Sequence, residues 1–235
     1  YWETLSYHER IMHMLRSVTS MHTEWVLAGV SAAAVWGLAD TYKLHTRVYV
    51  AVTRAQNSNN CVSTRFIVMA SADTVSLHGI KVTGLMRTLF DCARLLPFRE
   101  AIVILDKGLA LLQTLKPTMR KADVMAYCKT IRCANLNRAL FCLDFANPLS
   151  ESGGESIARA ALREWGYLIP QIQAPFRDPV SGKMYRADFL WSLPDRRQVI
   201  GELDGKGKYT DPAMTNGQSM ESIILREKDR ESNLS

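Results

Sequence analysis

The chain has 235 residues, 47% of them hydrophobic, with 29 Lys and Arg against 23 Asp and Glu for a net charge of +6. That is enough apolar content for one large or two ordinary domains with real cores. The longest apolar stretch, residues 26–39, is too short for a bilayer, no secretory signal stands at the front, and Cys61, Cys92, Cys128, Cys133 and Cys142 show neither a CxxC pair nor zinc spacing, which argues against a membrane role, a secreted disulfide scaffold and a zinc site.

The charge is unevenly spread. Residues 1–147 hold 17 basic and 10 acidic side chains (+7), and residues 148–235 hold 12 and 13 (−1). A protein that grips a polyanion with one part and acts on it with another has this distribution, as does an ordinary solvated surface. The expected compartment is cytoplasmic, with the thiols free, reduced and mostly buried.

Taken in order, residues 6–18 carry helical periodicity through Ile11, Met14, Leu15 and Val18, with Ser6 and Glu9 at capping-box spacing and His8 and His13 on the surface. A second helix is predicted over residues 31–38, begun by Ser31 as its cap. Strands are expected at 47–53, 64–71 and 78–82, the first two separated by the polar loop 56–60. Thr83 then reads as the cap of a helix bearing Leu85, Leu89, Cys92 and Leu95, which Pro97 ends. Arg87 and Asp91, four apart, suggest an intrahelical ion pair or cap network. Helices at 98–112, 118–129 and 135–145 complete an apolar bundle.

Residues 147–154 are polar and rich in Gly, Ser and Pro, which places a domain boundary there and divides the chain into 1–147 and 148–235. A helix follows at 155–165, with Ile157, Ala161, Leu162 and Trp165 expected inward and Gly166 as its C-cap, then a strand at 169–176 and a turn at 179–182. Residues 186–191 and 198–204 read as a hairpin closed by Gly205, and 219–234 as a charged helix. No internal repeat or low-complexity tract is present.

The hairpin concentrates the chemistry. Side chains alternate along a strand, so Glu202 and Asp204 share a face, and Asp188 on the neighbouring strand can be brought opposite them. Like charges on one face repel unless a cation lies between them, and a carboxylate set of this kind suits a hard divalent ion with oxygen ligands. The bland alternatives are an ion pair of Asp188 with Arg186 or Arg159, and Glu155 as a helix-dipole partner.

Glu155 on its helix, Arg186-Ala187-Asp188-Phe189-Leu190-Trp191, then Gly201-Glu202-Leu203-Asp204-Gly205-Lys206-Gly207-Lys208-Tyr209 and Glu227 to Glu231 together resemble the very-short-patch-repair-like branch of the PD-(D/E)XK endonuclease superfamily over about residues 150–235. The resemblance implies an α/β restriction-endonuclease-like core of order αβββα, ending before the final strand of that fold. It implies Mg²⁺ or Mn²⁺ as cofactor, Asp188 as the bridging carboxylate, Glu202 as the second ligand and Glu155 as the helix-borne acid. Asp204 stands where the superfamily has its lysine, so Lys206 or Lys208 would supply the catalytic cation.

Residues 31–38, 48–52 and 82–91 resemble the central region of AbiEi-type antitoxin proteins, which implies an α+β first domain with a regulatory or DNA-holding role, without the DNA-binding winged helix that usually begins such proteins. The expected function is a Mg²⁺-dependent DNA endonuclease, with RNA as the other candidate substrate and a homodimer as the arrangement for cutting both strands. The alternative is a non-catalytic antitoxin or transcription-regulator-like DNA-binding protein on a nuclease scaffold.

Overall fold

Contacts divide the chain into two units, Tyr1–Pro148 and Leu149–Ser235, in a computed structural model that describes residues 2–39, 42–54, 64–69, 73–178 and 181–203. The architecture is mixed α and β, with one sheet in each unit.

In the first unit, Ser6 caps α1 (Tyr7–Met21), and its hydroxyl and the Glu9 side chain close a reciprocal capping box. The Ser6 hydroxyl and backbone amide hold the exposed Glu9 carboxyl below its ordinary value. Ile11, Met12 and Leu15 are buried, against β1 (Val26–Leu27), α2 (Gly29–Val35), β2 (Val48–Val52) and β5 (Ile80–Thr83). With β3 (Thr64–Val68) and β4 (Thr74–Leu77) these strands form a five-stranded sheet of order β3-β2-β1-β5-β4. Its β2–β3 and β1–β5 pairs are parallel and its β1–β2 and β4–β5 pairs antiparallel.

Local expectations change at three points here. Ser31 does not cap α2, which starts at Gly29; it is buried within the helix and its hydroxyl accepts the Tyr49 N–H at 2.9 Å, tying α2 to β2. His78 and Gly79 are not in a strand but form the β4–β5 turn, both with positive φ (52° and 78°), the pairing a tight hairpin turn demands. Thr83 ends β5 rather than capping α3 (Leu85–Leu95), and its hydroxyl lies 2.9 Å from that of Thr88.

Three further helices follow: α4 (Phe98–Leu115), α5 (Lys121–Lys129) and α6 (Leu136–Phe145). Gly108 sets how closely α3 and α4 approach, since a Cβ there would lie 2.2 Å from Leu89 Cδ2. Cys92, Cys128 and Cys142 are buried between these helices, while Cys133 is exposed. No described helix is long and apolar enough to cross a membrane.

In the second unit, Ser152 caps α7 (Gly153–Glu164) and accepts the Glu155 N–H. At its other end Gly166, at φ +76°, completes a Schellman turn in which the Tyr167 N–H reaches the Leu162 carbonyl at 2.9 Å. The buried face of α7 is not the apolar one expected. Glu155, Ser156, Arg159, Ala160 and Ala161 are inward, whereas Ile157 and Trp165 are exposed and Leu162 is half-buried. The Ser152–Glu155 cap turns the acidic position toward the strands, and the helical period then carries Arg159 inward with it.

Three antiparallel strands follow as a meander: β6 (Gln171–Arg177), β7 (Met184–Ser192) and β8 (Gln198–Gly201), in that spatial order. Ile172, Ala174 and Phe176 of β6 meet Phe189, Ala187 and Tyr185 of β7, which defines the buried face. The last strand is shorter than expected, ending at Gly201. The helix expected at 219–234 lies outside the described residues.

Candidate functional site

The register of the meander assembles the site. Phe189 pairs with Gly201 and Leu190 with Ile200, and the ladder ends there, one step short of Asp188 and Glu202. A side chain then takes over, as Asp188 Oδ2 accepts the Leu203 N–H at 2.9 Å. Asp188 is half-buried on the middle strand and Glu202 is exposed. The Leu203 N–H bond holds Asp188 beside the residues that follow β8. Asp188 does not pair with Arg186, which reaches Glu151 at 2.7 Å instead.

Glu155 is tied into the same unit differently. It is 5% exposed, and three donors surround its carboxylate: the Glu151 N–H at 3.1 Å, the Ser152 hydroxyl at 3.0 Å and the Gln173 side-chain amide at 3.0 Å. Gln173 of β6 lies between the Ile172–Phe189 and Ala174–Ala187 pairs, at the position beside Asp188 of β7 where the ladder skips a pair. Its φ is +53°, a left-handed conformation in mid-strand that costs a non-glycine residue on the order of 1 kcal/mol. The amide thus links the helix acid to the strand position beside Asp188.

The carboxylates are not equivalent as cation ligands. Mg²⁺ keeps most of its waters and is held through one or two carboxylates. Asp188, with Oδ2 held by the Leu203 N–H, and the exposed Glu202 are the carboxylates that suit that demand. Glu155, with both oxygens already accepting, fits the role of an orienting acid. Among the described residues no three His, Cys, Asp or Glu side chains form a metal-holding group. Asp204, Lys206 and Lys208 lie outside the described residues.

Sequence reading missed Gln173 because nothing in the sequence announces a left-handed residue in a strand. Ser152 and Glu155, at S-x-x-E spacing ahead of a helix, did carry a legible signal for the cap that orients the acid.

Compared with known proteins, the chain finds no significant match to a family model, a curated protein or a solved structure. What the fold defines is a class: a mixed α/β protein whose second unit is a helix followed by a three-stranded antiparallel meander.

Proposed function

We propose that the second unit is a metal-dependent endonuclease of the PD-(D/E)XK, very-short-patch-repair-like kind, hydrolysing DNA phosphodiesters with Mg²⁺ or Mn²⁺. The observation that carries this reading is the Leu203 N–H on Asp188 Oδ2 at 2.9 Å, which holds that carboxylate beside the residues that follow β8. A helix followed by three antiparallel strands, with an acid at the helix start, adds support. A divalent ion, when bound, lowers the pKa of its water and neutralises charge at the phosphate.

The residues of the chain divide the work. Asp188 and Glu202 hold the cation, the first oriented by the Leu203 N–H. Glu155, held by Ser152, Glu151 and Gln173, keeps the N-terminus of α7 in register with β6. Lys206 or Lys208 supplies the positive charge at the phosphate.

The test is cleavage of plasmid DNA with Mg²⁺ or Mn²⁺ by the wild-type chain and by Asp188→Asn. Metal-dependent cleavage that Asp188→Asn abolishes, with an unchanged circular dichroism spectrum, supports the reading; a wild-type chain that cleaves with neither ion overturns it.

A second reading, a non-catalytic antitoxin or regulator that binds DNA on a nuclease scaffold, draws on the fully engaged Glu155 carboxylate. It predicts DNA binding that is insensitive to chelator and to Asp188→Asn and falls steeply with salt.

A further inference from the structure

We propose that Arg87 and Arg94 form a phosphate-oxyanion site in the first unit, held open by Asp91. The three residues lie on one stripe of α3, spaced by four and three. Arg87 Nε donates to Asp91 Oδ2 at 2.9 Å and Arg94 Nε to Asp91 Oδ1 at 2.8 Å. Asp91 is fully buried, and the arginine side chains are 8% and 13% exposed. Each guanidinium also lies 5.8 Å from the centroid of the buried Phe90 ring between them.

Two features separate this from an ordinary buried ion pair. Two cations meet one carboxylate in a region of low exposure, where charge without a partner is costly, and Asp73 is the further acid within reach of this cluster. Moreover, a guanidinium carries five N–H donors, and Arg87 and Arg94 each spend only Nε on Asp91. Two guanidinia pinned through Nε keep η donors of the kind that bind phosphate oxygens bidentately.

The neighbours are compatible. Tyr127 of α5 lies within electrostatic reach of Arg87, Asp73 and Asp91, and burial raises its hydroxyl above its ordinary value, so it stays a hydrogen-bond donor at neutral pH. Asp73 opposes an incoming anion, which limits the site to a ligand that engages both arginines. The excess of basic residues across 1–147 (17 against 10 acidic) points to the backbone of a nucleic acid as source of the phosphate. This site does not depend on the metal reading of the second unit.

The experiment uses the full chain, wild type and Arg94→Gln. Thermal unfolding is followed in sodium phosphate and in sodium chloride of equal ionic strength, and duplex DNA binding by fluorescence anisotropy across a salt series. Phosphate is expected to raise the wild-type midpoint above that in chloride, and Arg94→Gln to lose this increment. With DNA, Arg94→Gln is expected to flatten the log–log salt slope by about 0.9, the loss of one phosphate contact. A slope unchanged by Arg94→Gln while the phosphate increment is lost assigns the site to free phosphate or a phosphomonoester. Wild type that responds equally to phosphate and chloride overturns the proposal, whether or not Arg94→Gln folds, and so does a phosphate increment that survives in Arg94→Gln.

Discussion

The side-chain amide of Gln173 reaches Glu155 Oε2 at 3.0 Å from a strand residue held at φ +53°. Gln173 serves neither the apolar face of β6, which Ile172, Ala174 and Phe176 supply, nor a described pair with Asp188 beside it. Its strained backbone is therefore compensated by the side chain, which satisfies a carboxylate that burial would otherwise leave short of a donor.

This predicts an ordering of two substitutions. Gln173→Leu removes the donor and keeps the strain, and should cost about 1–3 kcal/mol of stability in the second unit. Gln173→Gly removes the donor but relieves the left-handed backbone by about 1 kcal/mol, so it should be the milder change. Urea unfolding followed by Trp191 fluorescence, on the strand beside it, checks the order; equal losses would remove the argument for strain.

A larger effect is expected at the ion triad. Asp91→Ala leaves Arg87 and Arg94 without their shared partner and should cost about 3–5 kcal/mol. Replacing all three with apolar residues of similar size should recover most of that loss, because the desolvation of three charges disappears with them. Guanidinium titrations of the two variants, read by far-UV circular dichroism, decide the matter.

The elements were legible where one principle sufficed. The capping box at Ser6 and Glu9 and the helices ended by Pro97 and Gly166 follow from local spacing. Misreadings arose where tertiary demands outweighed the local signal. Ser31 looks like a cap but serves the Tyr49 N–H; Thr83 looks like another but closes β5. On α7 the apolar residues Ile157 and Trp165 are outside because the inward face carries Glu155 and Arg159, which the strands receive instead. Arg87 and Asp91 were readable as an i,i+4 pair, but the second arginine on the same carboxylate required the helix to be seen.

The buried thiols carry a pH dependence. Burial pushes Cys128 from an ordinary value of 9.0 up to about 12, and raises Cys92 and Cys142 as well. A thiol whose folded pKa lies above its unfolded one binds its proton longer in the native state. The stability it contributes is present in full below pH 9 and is lost as pH rises from there toward 12. Native alkylation at pH 8 should label Cys133 and spare Cys92, Cys128 and Cys142, which become reactive only in denaturant; mass spectrometry of the labelled peptides reads this directly.

The three acids of the second unit should separate when stability and metal binding are measured together. Glu202 is exposed, so Glu202→Gln should leave the unfolding midpoint in chelator unchanged while weakening Mn²⁺ binding in calorimetry by about 10-fold or more. Glu155 is buried under three donors, so Glu155→Gln should lower stability even in chelator, by about 1–3 kcal/mol, since its new amide group faces donors with a donor. Asp188→Asn should do some of both, keeping an oxygen for the Leu203 N–H but giving up the charge that a cation needs. Wild-type protein at 100 times the Mn²⁺ dissociation constant should gain about 2.7 kcal/mol by linkage, and at the same Mn²⁺ concentration a 10-fold weaker Glu202→Gln should gain only about 1.4 kcal/mol, with the chelator midpoint unchanged. An increment that survives Glu202→Gln at full size would remove Glu202 from the cation site and leave Asp188 as its described ligand.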